Sequence, residues 1–388
     1  MQTERVRRPR PAGVVALHAA VVALACALPG SMAMSADEAA VSDAVLFPIS
    51  VRDRHGAIDR RGTVVIPPEY DDPVEMREGL ARVRKGPRTA YLDASGRRVI
   101  EPQDRTTALF SEGMAPALGT DDKGKGAWGY LDRRGAWAIA PRFADAKEFS
   151  GGRAAVGVAD EWGRVKFGYI DAKGVLVIPA TFDRAFPFGR VARVELERRA
   201  RLIDLQGRDV TPEGIDGFGA EAGGMRMARK GKLVCFLDED GRLAIELQFA
   251  SASDFKDGMA RVWRDGRYGY VDRKGTLVVP PTYESASDFS GGYAAVAVDR
   301  RYGFIDRTGK MAIAPQFERV QAFSDGLAAA QSEKLWGFVD ANGRWAIPPR
   351  FQWVRPFHNG LAWVGEPRQR GGSYVDPEGR VVWSTPAD

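Results

Sequence analysis

A repeated pattern constrains the fold of this chain more than any other feature of its sequence. Ten aspartates mark the repeat, and each ends a short apolar run and is followed three residues later by glycine. They are Asp59, Asp93, Asp132, Asp171, Asp204, Asp238, Asp272, Asp306, Asp340 and Asp376. The spacings between them are 34, 39, 39, 33, 34, 34, 34, 34 and 36 residues. A recurring period of this length predicts a solenoid, a propeller or another tandem array.

The residues around each aspartate predict strands and not helices. The residue before the aspartate is aliphatic in all ten units, and the residue two before it is aromatic in eight. Such a run is typical of a strand covered on both faces. After the turn, apolar residues alternate, as at Leu277 and Val279, and a proline such as Pro280 is expected to end this second strand. A later Phe-x-x-Gly-x-Ala-x-Val segment, at Phe289 in one unit, predicts a third strand.

We therefore predict an all-β tandem array of about ten units, each built of three short antiparallel strands. A solenoid-like array is favoured. A closed β-propeller is the alternative, because four-stranded blades usually need more than about 34 residues and ten units exceed the usual number of blades.

The ten aspartates have two chemical interpretations. At the first position of a turn, a carboxylate accepts hydrogen bonds from nearby backbone N–H groups, and glycine at the fourth position accepts positive φ. Stacked in a row, the same carboxylates would bind calcium or a glycan, although calcium sites gather several oxygen ligands. The turn interpretation is favoured, and no metal or cofactor site is predicted.

The N-terminus has the pattern of an export signal. Arg5, Arg7, Arg8 and Arg10 precede an apolar run that ends near Leu28, and small residues follow. Residues 1–33 are predicted to be a signal peptide cleaved after Ala33 or Ala36. A lipoprotein signal and a retained membrane anchor are the alternatives. Residues 34–50 form a leader, residues 51–383 the repeat array and residues 384–388 a tail, so we expect a periplasmic or secreted protein.

Few residues of the array are suited to catalysis or nucleic-acid binding. Positive and negative side chains are mixed, without a run of lysines or arginines to follow a phosphate backbone. His55 and His358 are expected at opposite ends of an elongated array, and Cys235 is expected to be a buried, inert thiol. Zinc-ligand spacings and phosphate-binding loops are absent from the sequence. We therefore predict a protein that is not an enzyme.

Several units carry a motif of aromatic residue, glycine, two apolar residues and aspartate. It reads Trp-Gly at Trp128 and Trp336, and it keeps the glycine after another aromatic at Phe167, Tyr268 and Tyr302. From about residue 50 to 383 the chain resembles the bacterial WG-repeat family. The resemblance implies an array of repeats and brings no catalytic residues. The units around Asp204 and Asp238 depart from the motif, so a bend or a looser joint is expected near residues 195–235.

Two lengthened hairpins are the best candidates for a binding surface. The gap from the repeat glycine to the next marker aspartate is usually 14 residues, but it is 19 after Gly113 and after Gly152. Insertions at the same point of neighbouring repeats lie on one side of an array and often bind, although surface loops are also merely tolerated. The candidate residues are Asp121, Asp122, Lys123, Lys125, Asp160, Glu161, Trp162, Arg164 and Lys166.

Tryptophan is concentrated near the C-terminus, where five of nine lie in the last 53 residues. They fit a sugar-stacking platform or, as we favour, the packed cap of a solenoid. Trp353 and Trp363 lie off the regular core positions and join the candidate surface. The sequence thus predicts an exported binding or scaffold protein that engages a protein partner at the cell envelope. Binding of an envelope polysaccharide through Trp162, Trp353 and Trp363 is the alternative.

Overall fold

The computed structural model describes residues 45–101, 106–246, 249–367 and 371–386. These ranges contain 37 β-strands in ten separate antiparallel sheets and no helix. The predicted signal peptide, residues 1–33, lies outside them, as does most of the leader. The all-β prediction is confirmed for the described residues.

Each sheet corresponds to one repeat, and we call it a blade. Blade 1 contains β1 (Phe47–Val51), β2 (Arg54–Ile58) and β3 (Val64–Tyr70), and blade 2 contains β4 (Glu75–Arg77), β5 (Leu80–Lys85), β6 (Arg88–Asp93) and β7 (Arg98–Ile100). Blade 3 contains β8 (Ala115–Thr120), β9 (Gly126–Leu131) and β10 (Trp137–Phe143), and blade 4 contains β11 (Asp145–Ser150), β12 (Arg153–Ala159), β13 (Val165–Ile170) and β14 (Leu176–Phe182). Blade 5 contains β15 (Arg184–Ala185), β16 (Ala192–Leu196) and β17 (Arg199–Ile203).

Blade 6 contains β18 (Gly217–Ala222), β19 (Met225–Lys230), β20 (Leu233–Leu237) and β21 (Leu243–Glu246), and blade 7 contains β22 (Ser251–Ala252), β23 (Met259–Arg264), β24 (Arg267–Asp272) and β25 (Leu277–Tyr283). Blade 8 contains β26 (Ser285–Ala286), β27 (Tyr293–Val298), β28 (Arg301–Asp306) and β29 (Met311–Phe317), and blade 9 contains β30 (Arg319–Ser324), β31 (Leu327–Ser332), β32 (Leu335–Val339) and β33 (Trp345–Phe351). Blade 10 contains β34 (Trp353–Val354), β35 (Ala362–Gly365), β36 (Ser373–Val375) and β37 (Val381–Ser384).

A complete blade is a meander of four strands, A to D in chain order, and each strand pairs with the next. Within the described ranges, three blades are shorter. Blade 1 begins at strand B, strand A of blade 3 is reduced to a bridge between Thr107 and Ala117, and strand D of blade 5 to a bridge between Ile203 and Asp209. The A–B and C–D turns lie at one end of every blade, which we call the C–D face. The B–C turns lie at the opposite end, the B–C face.

The predicted solenoid is wrong, because the first blade packs on the last and the ten blades form a closed β-propeller arrangement. At an ordinary joint, Tyr270 of blade 7 shares a core cluster with Ile305 of blade 8. The equivalent Tyr374 of blade 10 shares one with Ile58 of blade 1, and its hydroxyl donates a hydrogen bond of 2.8 Å to the carbonyl of Pro48.

The marker glycines show the same continuity across the closure. A Cβ atom at Gly96 of blade 2 would lie 2.3 Å from the carbonyl oxygen of Val65 in blade 1. A Cβ at Gly62 of blade 1 would lie 2.2 Å from the carbonyl oxygen of Val382 in blade 10. Each glycine therefore permits a close approach to the preceding blade, and blade 10 precedes blade 1 in the ring.

The unit holds four strands and not the predicted three, because strand D runs through the prolines and a further strand, A, follows it directly. In blade 8, Tyr302 pairs with Phe317 and Phe304 with Ile313, so strand D carries a bulge of two extra residues around Pro315. Proline is tolerated there because strand D is an edge strand and the bulge needs no N–H from it. Strand A begins only two residues after the preceding strand D ends, as at Tyr283 and Ser285, so four strands fit within 34 residues.

Strand A forms the inner edge of the ring. The A–B turns of neighbouring blades touch, with hydrogen bonds of 2.7 Å from Ser111 Oγ to the Phe149 carbonyl and from Ser290 Oγ to the Phe323 carbonyl. Strand D of one blade packs instead on strand B of the next. Because the blades of a closed ring converge toward its axis, strand A lies nearer the axis than strand D does.

Candidate functional site

The long hairpins of blades 3 and 4 are neighbours on the B–C face. In blades such as blade 8 the B–C turn is short, with only Asp299 and Arg300, which have φ of 50° and 62°. In blades 3 and 4 the strands continue to Thr120 and Ala159 before they turn. The spacing of the sequence therefore located both insertions in the correct hairpin.

Both tips reuse the Asp-x-x-Gly turn. Asp121 Oδ1 accepts hydrogen bonds from the N–H groups of Lys123 (3.0 Å) and Lys125 (2.7 Å). Asp160 Oδ1 accepts the same pair of bonds from Trp162 (3.0 Å) and Arg164 (2.8 Å). Hydrogen-bonded turns give the two tips defined shapes, and they present Asp122 and Glu161 to solvent.

Trp162 projects from the tip in blade 4 with 71% of its surface exposed. The guanidinium carbon of Arg164 lies 5.0 Å from the centre of its ring, and Arg164 Nε donates a hydrogen bond of 2.7 Å to Asp160 Oδ2. Desolvation acts to raise the pKa of Asp160, but the hydrogen bonds from Arg164 and from the backbone outweigh it and lower that pKa. Arg164 and Asp160 thus form an ion pair beside the exposed indole of Trp162.

Lys166 ties this hairpin to the body of blade 4. Its ammonium forms an ion pair with Asp183 in the connection that follows strand D. The hydrogen bond from Lys166 is the main reason that the pKa of Asp183 lies below its usual range. Lys166 therefore stabilises the position of the hairpin, and its charge is already paired within the protein.

Trp353 and Trp363 lie in blade 10, three blades around the closed ring from the nearer hairpin. Their ring centres are 6.2 Å apart, and Trp363 also contacts Tyr374 (4.7 Å) and Trp383 (5.9 Å). Trp363 and Trp383 belong to the joint with blade 1, so these rings close a propeller and do not cap a solenoid. Trp353 is the more accessible of the candidate pair, with 37% of its surface exposed.

A cleft at the inner edge of blades 3 to 5 was not found from the sequence. Its volume is about 620 Å³, and Phe167 and Phe186 line it together with Asp145, Lys147 and Arg184. Lys147 and Asp145 are paired at 2.8 Å. Phe167 occupies the aromatic position of the repeat motif, whereas the other four residues occupy positions that differ from repeat to repeat. Only the proximity of three strand A edges brings them together.

Acidic residues in the A–B turns were also overlooked. Glu78 accepts hydrogen bonds from the N–H groups of Glu112 (2.6 Å) and Gly113 (3.1 Å) in the next blade. Asp257 accepts a hydrogen bond from the N–H of Gly292 in the next blade (2.8 Å), and Asp325 accepts one from the N–H of Gly360 (2.7 Å). In the sequence, each of these residues is an acidic residue directly before the repeat glycine. Their carboxylates join neighbouring blades on the C–D face.

The other reactive side chains are dispersed. Cys235 is buried in the joint between blades 5 and 6, and burial raises the pKa of its thiol. His55 and His358 were expected at opposite ends of the molecule, but ring closure places them in neighbouring blades. They lie on opposite faces, since His55 is beside the B–C turn of blade 1 and His358 is in the A–B turn of blade 10.

Within the described ranges, no three His, Cys, Asp or Glu side chains cluster as ligands for a metal ion. The same residues include no helix with the length and apolar character needed to cross a membrane.

Seven segments of the chain match the model of the WG containing repeat. They are residues 56–86, 128–162, 167–196, 236–267, 268–301, 302–336 and 336–365, which together make up more than half of the sequence. The chain belongs to the WG-repeat family. The match is interrupted at 197–235, the stretch in which blade 5 lacks a full strand D. The WG repeats and their ring of blades indicate a repeat-based binding or scaffold protein.

Similarity to solved structures is distant. The chain matches Hsv2p of Kluyveromyces lactis at 9% identity, covering 63% of this chain and 96% of that one, with a TM-score of 0.31. It matches virginiamycin B lyase of Staphylococcus aureus at 12% identity over 64% and 90%, with a TM-score of 0.26. The extracellular domain of a putative hybrid two-component system from B. thetaiotaomicron matches at 10% over 89% and 57%, with a TM-score of 0.27. Such scores carry no functional argument. No curated protein sequence matches the chain.

Proposed function

We propose that the mature WG-repeat chain is an exported, non-enzymatic scaffold that binds a protein partner at the cell envelope through the hairpins of blades 3 and 4. The exposed and oriented indole of Trp162 carries this proposal. Tryptophan and arginine dominate the binding energy of many protein interfaces, and a polar rim excludes water around them. Asp121, Asp122 and Lys123 supply charged groups of both signs on the neighbouring tip.

The cellular location in this proposal rests on the N-terminal sequence. Its basic start, apolar run and small residues near Ala33 are typical of a cleaved signal. A partner on the periplasmic side of the envelope is therefore the one to seek.

Cross-linking and affinity purification of the mature protein from a native envelope extract would test the surface. We expect Trp162→Ala to reduce recovery of the partner at least about tenfold, as loss of a central interface tryptophan does. Trp263→Ala is the matched control, because Trp263 is 43% exposed and lies beside the B–C turn of blade 7. Equal recovery of the partner by both variants would contradict the proposal.

A second variant addresses the whole surface without disturbing the blades. In this variant, Asp-Arg, the two residues of the B–C turn of blade 8, replaces Ala159–Val165. The same two residues replace Thr120–Gly126. Both cuts leave the regular pairing from Val158 to Lys166 and from Gly119 to Ala127 intact. The trimmed protein should fold with an unchanged melting temperature and lose its partner.

Polysaccharide binding is the second candidate, and Trp353 is the observation that favours it. This ring is partly exposed, stands 6.2 Å from Trp363 and lies close over Gly365. Trp162 lies four blades away around the closed ring, in blade 4. Retention of an envelope glycan by Trp162→Ala but not by Trp353→Ala would support this candidate over the first.

A further inference from the structure

The cleft at the inner edge of blades 3 to 5 has walls that the fold holds in place. Its volume of about 620 Å³ is that of an ordinary ligand-binding cleft. Three residues at equivalent positions of successive blades line it, and each carbonyl accepts a hydrogen bond from a tyrosine hydroxyl of the preceding blade. The pairs are Tyr91 with Ala108 (2.5 Å), Tyr130 with Lys147 (2.8 Å) and Tyr169 with Phe186 (2.8 Å). Walls fixed in this way lower the entropic cost of binding.

The apolar part of the cleft is bounded by two phenylalanines. Phe167 lies in strand C of blade 4, and Phe186 directly follows strand A of blade 5; both are only partly buried. On the side of blade 3 the position equivalent to Phe186 is Ala108, whose small side chain leaves the space open. Aromatic walls around an open space suit an aromatic or branched aliphatic side chain.

Three of the four charged side chains that line the cleft are already paired within the protein. Lys147 pairs with Asp145 at 2.8 Å. Glu148 pairs with Arg77 of blade 2. These pairs leave the fourth charge, Arg184, to decide which ligand the cleft attracts.

Arg184 is held much more loosely. Its Nη1 lies 3.7 Å from Glu195 Oε2, which is too long for a hydrogen bond, and 67% of its side chain is exposed. Glu195 Oε1 already accepts a hydrogen bond of 2.8 Å from Arg193. The guanidinium carbon of Arg184 lies 5.5 Å from the centre of the Phe186 ring. Within the described ranges, most N–H donors of this guanidinium are therefore available to a carboxylate from outside.

The cleft lies at the base of the long hairpin of blade 4. Lys166, next to Phe167, forms an ion pair with Asp183, next to Arg184, so the hairpin and the cleft are held in one arrangement. Five residues separate Trp162 from Phe167, which is at most about 17 Å of extended chain. A segment that lies against Trp162 can therefore reach the cleft within about five or six of its own residues.

We propose that the cleft receives an extended segment of the protein partner, which inserts an aromatic or branched aliphatic side chain between Phe167 and Phe186 and places a carboxylate on Arg184. This inference rests on the function proposed above, because it takes the ligand of the hairpins to be a protein. It adds the chemistry of the partner, which is an acidic residue close to a large apolar one. The cleft supplies the buried anchor point and Trp162 the exposed one.

Peptides of defined sequence test the cleft without the partner. The probes are seven-residue, fluorescein-labelled peptides of glycine and serine that carry one phenylalanine and one aspartate, adjacent or up to three residues apart. Fluorescence anisotropy with the mature protein measures their binding. We expect at least one spacing to bind, and replacement of its phenylalanine by alanine or of its aspartate by lysine to weaken binding at least about tenfold.

Two variants of the protein locate the binding. Ala108→Phe fills the cleft, and Phe186 shows that this position of the blade accepts a phenylalanine. Arg184→Ala removes the exposed cation. Arg301→Ala is its matched control, because Arg301 is 54% exposed and lies 4.0 Å from Glu318 in a similarly long ion pair. Ala108→Phe and Arg184→Ala should bind the best peptide at least about tenfold more weakly than wild type does, and Arg301→Ala should bind it equally well.

The outcomes separate the possible occupants. A panel in which no peptide binds would overturn the inference, as would equal binding by wild type and both cleft variants. If 3-phenylpropionate bound as tightly as the best peptide, the cleft would be assigned to a small aromatic carboxylate instead.

A comparison with Trp162→Ala distinguishes this inference from the proposed function. Binding of the peptide that survives Trp162→Ala but is lost in Ala108→Phe would support the cleft whatever becomes of the hairpin tips. Recovery of the partner that is lost with Trp162→Ala but unchanged with Ala108→Phe would leave the hairpin surface standing and overturn the cleft.

Discussion

The marker aspartates act as capping residues in all ten units. In each, Oδ1 accepts hydrogen bonds from the N–H groups two and four residues later; at Asp93 these belong to Ser95 (2.9 Å) and Arg97 (3.0 Å). Sequence alone predicted this role, because the donors lie within the same turn and need no tertiary context. The residues that make contacts between blades, such as Phe47 and Trp363, could not be interpreted in the same way.

Replacing Asp93 with alanine should destabilise the protein by about 1–2 kcal/mol, because two backbone N–H groups lose a charged acceptor. The carboxylate is also bonded to the Ser95 hydroxyl (2.6 Å) and to Arg97 Nε (3.0 Å). Urea unfolding of wild type and variant at pH 7 measures the difference. Arg97→Ala is the control for the ion pair alone, and an equal loss in that variant would argue against capping.

The same carboxyl should make part of the stability depend on acid. Desolvation opposes ionisation of Asp93, but its hydrogen bonds with Ser95 and Arg97 prevail and lower its pKa below the ordinary value. A group with a depressed pKa in the folded state contributes stability above its unfolded pKa of about 3.9 and loses it as the pH falls through the folded value. The gap between wild type and Asp93→Asn should therefore be constant from pH 7 to about pH 5 and should shrink below about pH 4. A gap that widened in acid would refute this assignment.

At the scale of the strand, the proline and the glycine of the repeat work together. The bulge around Pro315 brings the carbonyl oxygen of Ile313 to 2.3 Å from where a Cβ of Gly303 would be, so the glycine of the Trp-Gly motif is required by the next strand. The sequence showed both residues but predicted that proline ends the strand. A bulge depends on pairing between strands, and a local pattern does not reveal it.

Two glycines of blade 8 allow backbone strain to be separated from contact between blades. Gly292 and Gly309 have φ of +87° and +85°, but a Cβ at Gly292 meets no atom within 4 Å, whereas one at Gly309 would lie 2.8 Å from Val279 of blade 7. Alanine at either site should cost about 1–2 kcal/mol for the left-handed backbone. Gly309→Ala should cost about 1–3 kcal/mol more for overpacking. Equal unfolding free energies of the two variants would show that the blade contact is unimportant.

At the scale of the molecule, the sequence could not distinguish an open array from a ring. The same strands and the same joints between neighbours occur in both, and the difference is one further joint between residues more than 300 positions apart. The excess of aromatic residues near the C-terminus suggested a packed end. The hydrogen bond from Tyr374 to Pro48 and the approach of Gly62 to Val382 show that the packing is against blade 1.

Ring closure predicts that the chain tolerates circular permutation. If Asp388 is joined directly to Glu38, twelve residues follow Asp376 and twenty-one precede Asp59, so the spacing of marker aspartates across the join is 34, the commonest in the chain. New ends can be opened between Asp299 and Arg300, or between Glu333 and Lys334, both in exposed B–C turns. We expect both permutants to fold and to unfold in one cooperative transition, because each retains all ten joints while the cut removes one short connection.

The two cut sites control for each other, since local damage would affect one permutant and a wrong closure would affect both. A third protein, cut at the same place but with the original ends left unjoined, measures what the covalent link adds. If both joined permutants were unfolded while the unpermuted chain was stable, the ends would not meet and the contacts of Tyr374 with blade 1 would be refuted. If they fold, Phe47→Ala should lower their melting temperature as much as it lowers that of the original chain, because the ring of Phe47 packs on Tyr374 in either connectivity.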